Sequence, residues 1–191
     1  MSEGRVIIKT ISLIVIMFLC FSSLAANAIE AVGESSGYYY NSVWEKWYEY
    51  PIVVHVIPYG STLITGGRGM ITATGILRPP NKILRVEKDE RVIFIASLKK
   101  YLEWQKIAKK RNLEVEKELG YINDFLLTFR SSNGGRKSHL DMQIFSAYGK
   151  DSISLRLNST QVITLIHVLE RVPSVLERIR KQEKKADKLL K

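Results

Sequence analysis

The chain is poor in the residues that crosslink, ligate or punctuate. It has one cysteine, three histidines and five prolines in 191 residues. With Cys20 alone, no intramolecular disulfide can form and no cysteine-based metal site can be built, so stability must come from packing. His55, His139 and His167 have no companion at metal-ligand spacing and read as structural or surface residues. The phosphate-cradling spacings G-x-x-x-x-G-K-[ST] and G-x-G-x-x-G are missing. Acidic residues are the minority, 19 Asp+Glu against 29 Lys+Arg, for a formal charge of +10. These absences name no reaction and give no reason to expect a cofactor.

What is present begins with a secretory layout. Arg5 and Lys9 precede an apolar run from Ile11 to Leu24 that only Ser12, Ser22 and Ser23 interrupt, and Ala26-Asn27-Ala28 supplies an A-x-A end. The run is shorter than the roughly 20 apolar residues of a spanning helix. The layout predicts a signal peptide over 1–28 and export to the periplasm or outside the cell. The alternative is an uncleaved N-terminal anchor. Lipoprotein processing at Cys20 would need a small residue before it, where Phe18-Leu19 stands. Removing 1–28 takes Arg5, Lys9 and Glu3 away, leaving a cysteine-free chain of formal charge +9. Such a charge favours anionic partners. It is uneven: Arg171 to Lys191 holds eight basic and three acidic residues. That tail is either a solvated helical end or a docking element, with Arg178, Arg180, Lys181, Lys184 and Lys185 as the candidate contacts.

Residues 29–50 read as a mobile leader, Ile29 to Gly37, followed by a short aromatic helix. Ser42 and Glu45 match a capping box and Pro51 stops the helix, which places it over 43–49. Trp44, Trp47 and Tyr48 would then share one face at i, i+3, i+4 spacing, as core or as a partner-binding face. A single domain is expected over 51–191. Pro51 to Tyr59 is β-branched and reads as a strand. Thr65-Gly66-Gly67-Arg68-Gly69 reads as a hairpin turn or, alternatively, an anion cradle with Arg68 as its contact. Ile83–Val86 and Arg91–Ala96 suggest two strands around a charged tip. A helix is expected from Leu98 to Leu119, capped by Ser97 and closed by Gly120, with Asn112 able to split it. Phe125–Phe129, Leu140–Tyr148 and the alternating Ile153, Leu155 and Leu157 predict a three-stranded meander, turned at Asn133-Gly134-Gly135 and Gly149-Lys150-Asp151. His139 and Asp141 would share a strand face. Asn158 and Gln161 cap a last helix with a buried stripe of Val162, Leu165, Ile166, Leu169 and Val172. Pro173 breaks it and Ser174 restarts it. No internal repeat is visible. The expected fold class is α+β, a two-layer antiparallel sheet with helices packed on one face.

The ending Ile153-Ser154-Leu155, Gln161, Leu165 and Val172-Pro173-Ser174-Val175-Leu176 resembles that of the transcriptional coactivators that bind single-stranded DNA. That family closes on strands followed by a helix and binds with basic and aromatic residues on a curved sheet. The likeness is one of apolar spacing and one proline, and no residue role is carried over from it.

The leading expectation is an exported, non-enzymatic binding or assembly module of the cell envelope. Its partner would be an envelope protein or an anionic surface, polysaccharide or lipid head groups. One alternative is a hydrolase of envelope polymers, with Asp124, Asp141 and Asp151 flanking the meander. A single-stranded nucleic-acid-binding module ranks behind both.

Overall fold

A computed structural model describes residues 30–41, 45–56, 62–66, 83–123, 125–144 and 153–189. The signal-peptide reading, Cys20, Trp44, Arg68, Asp124 and Asp151 lie outside the described residues. Four strands come first: β1 (Glu30–Asn41), β2 (Lys46–Val56), β3 (Thr62–Gly66) and β4 (Ile83–Val86). Helix α1 (Lys88–Arg111) follows. Four more strands, β5 (Val115–Ile122), β6 (Phe125–Ser132), β7 (Lys137–Ile144) and β8 (Ile153–Leu157), precede helix α2 (Ser159–Leu189). The described strands form one sheet in the order β4-β3-β2-β1-β8-β7-β6-β5, antiparallel at every pairing. The fold is α+β in two layers, as expected. It contains a repeat that the sequence hides: four antiparallel strands and a helix, twice.

The helices are exchanged between the two units. α1 packs on β5 and β6, whereas α2 packs mainly on β1 and also on β2, β7 and β8. Phe94 of α1 meets Phe125 edge-on at 5.1 Å, and Tyr101 and Trp104 meet Phe129 at 5.7 and 5.9 Å. Such edge-to-face pairs suit the ring quadrupoles and add to the burial of large apolar area. On the other side Gly33 of β1 lets α2 approach closely, since a Cβ there would stand 3.0 Å from the Val168 side chain. Both helices share one core with Ile52, Val54, Leu127, Leu140, Met142, Leu155 and Leu157 of the sheet. Neither four-stranded unit is covered mainly by its own helix.

Several sequence expectations change. The leader and the aromatic helix over 43–49 are replaced by the β1–β2 hairpin, in which Tyr40 pairs with Trp47 and Tyr39 with Tyr48. Cross-strand packing of aromatic residues outweighs the local capping pattern. The boundary drawn at residue 50 falls inside β2. Pro51 lies within the strand, opposite Ser36 of β1. Arg91–Ala96 is helix, not strand. α1 starts at Lys88, where the Glu87 backbone N–H donates to the Glu90 carboxylate at 2.7 Å; this reciprocal cap overrides the β-branched Val92 and Ile93. α1 ends at Asn112, in the left-handed region at φ 53°, with its N–H on the Ala108 carbonyl. Residues beyond Val115 form β5, so the meander has four strands. Pro173 lies inside one continuous α2, on its exposed side. The Asn158–Gln161 box is as expected, its two bonds at 2.9 and 3.0 Å, and the five stripe residues of α2 are buried. Among the described residues no helix is long and apolar enough to cross a membrane.

Candidate functional site

No described element packs over the sheet face opposite the helices. Strand alternation decides which side chains stand on it. The register sets Glu116 of β5 beside Arg130 of β6, Arg130 beside His139 of β7, and Asp141 of β7 beside Arg156 of β8. Arg156 pairs with Tyr38 of β1, and Tyr40 of β1 with Trp47 of β2. A ribbon of ionic and aromatic side chains therefore runs across six strands.

Asp141 organises its ionic half. Arg130 Nε lies 2.7 Å from one carboxylate oxygen, and Arg156 Nε 3.2 Å from the other. His139 Nε2 stands 3.6 Å away, too far for a good hydrogen bond but close enough for a charge to be felt. Arg130 also pairs with Glu116. The two guanidinium groups roof the carboxylate, so Asp141 is buried to 9 % exposure on a face without a helix. Burial, the largest single influence, pushes its carboxyl up. The neighbouring His139, and then Arg156 by charge and hydrogen bond, together outweigh that influence and hold it below the usual carboxylate range. A carboxylate locked in this way is a poor proton donor at neutral pH.

The aromatic half is open. Trp47, Tyr40 and Tyr38 are 44, 41 and 38 % exposed. The Trp47 and Tyr40 rings lie 5.2 Å apart and tilted, and the Arg156 guanidinium stacks over Trp47 at 4.3 Å. Arg156 thus joins the two halves, with one nitrogen on Asp141 and its plane on the indole. A shallow cavity of about 420 Å³ lies beside the ribbon, lined by Glu114, Glu116, Arg130, Ser131, His139 and Arg156 among others.

Comparison with known proteins adds little. No protein-family model matches the chain. No curated protein matches it. Among solved structures, that of Trypanosoma bruciei MRP1/MRP2 is similar over 81 % of this chain and 98 % of that one, at 12 % identity and a TM-score of 0.39. At that distance the likeness carries no argument about this chain.

The structure divides the residues singled out from the sequence. Trp47 is on the open face, but Tyr48 points to the opposite side of the same strand and is half-buried, so the two do not share a face. The tail residues lie far along the chain from the ribbon on α2. Arg178 is tied to Glu30, and Lys181 to Glu177 at 2.7 Å. Arg180, Lys184 and Lys185 are exposed. Of the three hydrolase candidates only Asp141 is described, and it is bound up with arginines. No group of three His, Cys, Asp or Glu that could hold a metal occurs among the described residues. Arg130, Arg156, Glu116, Tyr38 and Tyr40 were missed as site residues. The signal that could have found them is alternation: read as strands, 125–132 and 153–157 put Arg130 and Arg156 opposite the apolar positions.

Proposed function

We propose that this chain is an exported, non-enzymatic binding module of the cell envelope that takes its partner on the open sheet face. One observation carries the reading: Trp47, Tyr40 and Tyr38 are presented to solvent beside an arginine that Asp141 holds in place. Large exposed rings backed by a rigid cation are costly to leave solvated and are enriched where proteins meet partners. The partner would offer a flat apolar face to stack on Trp47 and Tyr40, and polar groups to meet Arg156. An envelope protein or a glycan has that chemistry. Export rests on the charged start, apolar middle and A-x-A end of residues 1–28. The test is retention of the protein by envelope fractions. Trp47→Ala with Tyr40→Ala should abolish it while thermal unfolding stays close to wild type; undiminished retention would refute the assignment.

A second reading is favoured by the Arg156–Trp47 stack, because a base can stack on the same rings and single-strand binders use such platforms. It predicts affinity that falls steeply with salt through counterion release. The exposed carboxylates Glu34, Glu49, Glu116 and Glu118 on this face weigh against a phosphate backbone, which ranks this reading second.

A further inference from the structure

The basic excess lies on the helices and not on the open sheet face. α1 carries eight basic residues, Lys88, Arg91, Lys99, Lys100, Lys106, Lys109, Lys110 and Arg111, against Asp89, Glu90 and Glu103. All but Arg91 of the eight are exposed. Large apolar side chains stand among them in solvent: Val92 at 62 %, Ile93 at 55 % and Ile107 at 44 % on α1, with Ile163 at 44 % on α2. With 3.6 residues per turn, Val92, Ala96, Lys99, Lys106, Ile107 and Lys110 fall on the side of α1 away from Phe94, Leu98 and Tyr101. The outer surface of the helical layer is therefore cationic with apolar points.

Charge alone would suit any polyanion; the exposed Val92, Ile93 and Ile107 among the lysines suit a surface that is anionic outside and apolar beneath, which is a bilayer.

We propose that the helical layer is the membrane-facing side of the molecule, with the outer surfaces of α1 and α2 lying on the head groups of an anionic bilayer and the open sheet face turned away from it. Lysine stems and Val92, Ile93 and Ile107 would reach the interface while ammonium groups meet lipid phosphates. This uses a different face from the partner site and stands or falls separately from it.

The experiment is co-sedimentation of the full chain with phosphatidylcholine vesicles, with and without phosphatidylglycerol. Residues 1–28, with Arg5 and Lys9, are common to wild type and variants, so the loss on substitution isolates the charge of the helical layer. Each lysine near an anionic surface is worth about fivefold. Lys106→Gln and Lys110→Gln together should therefore reduce the phosphatidylglycerol-dependent part roughly 25-fold. Trp47→Ala should leave that part unchanged, which separates this proposal from the sheet-face reading. Val92→Ser with Ile107→Ser should weaken vesicle binding but not binding to soluble inorganic polyphosphate. Equal affinity for the two vesicle types, an unaffected double lysine variant, or vesicle binding insensitive to Val92→Ser with Ile107→Ser would each overturn it.

Discussion

Asp141→Asn tests whether the ionic ribbon is held together as described. The substitution keeps the shape and a hydrogen-bond acceptor but removes the charge that Arg130 and Arg156 surround. Removing one partner of a fully buried pair costs about 3–5 kcal/mol. Here the carboxylate side chain is 12 % exposed, while the Arg130 and Arg156 side chains are 42 and 37 % exposed. Water therefore screens the arginines and takes over part of their solvation once the charge is gone. The expected loss is about 1–3 kcal/mol. For a chain of this size that is a Tm lower by roughly 2–10 °C. The pH dependence gives a sharper signature. In the folded state the carboxyl is held below its unfolded value of about 3.9. Its contribution is thus complete above that pH and disappears as pH falls through the lowered folded value. The gap between wild type and Asp141→Asn should be widest near neutrality and close at strongly acidic pH. Differential scanning calorimetry over that range measures it. A gap that is absent at pH 7, or undiminished at the acidic end, refutes the electrostatic account of Asp141.

Gly135→Ala should destabilise far more than Gly134→Ala. Both glycines have positive φ, 73° and 60°, so each substitution costs about 1–2 kcal/mol of backbone strain. Only at Gly135 would the new Cβ fall 2.2 Å from the Ala108 carbonyl oxygen; equal Tm values for the two variants would show that the β6–β7 turn does not press on the end of α1. Residues 30–112 and 113–191, produced separately, should each stay unfolded by circular dichroism and gain structure on mixing, because each helix covers the other unit's strands. Independent folding of either half would contradict the exchange. Trp47 fluorescence should change when the partner binds the open face, and Arg156→Ala should weaken that partner by removing the cation stacked on the indole; unaltered affinity would take Arg156 out of the site.

The sequence announces the second unit better than the first. Leu127 and Phe129, Leu140 and Met142, and Leu155 and Leu157 alternate against polar neighbours, so β6 to β8 can be read directly. The α2 stripe is equally plain. β1 is hidden because EAVGESSGYYYN holds two glycines, two serines and one β-branched residue. Its glycines suggest a leader, yet Gly33 is there for the approach of Val168, a contact more than a hundred residues away in sequence. At 42–48 a helix cap and an i, i+3, i+4 aromatic pattern compete with strand pairing, and only the partner strand resolves the contest. The ionic ribbon was illegible for a related reason. Each of Glu116, Arg130, Asp141 and Arg156 looks like an ordinary surface charge until register brings four strands side by side.

The exchange of helices fixes an order of events during synthesis. Of the described elements β1 and β2 are made first, and α2, the helix that packs mainly on β1, is made last. Until Ser159–Leu189 has been made, Gly33 faces no Val168 and the first unit lacks the helix that covers it. The first four strands therefore wait on the second unit to finish their core.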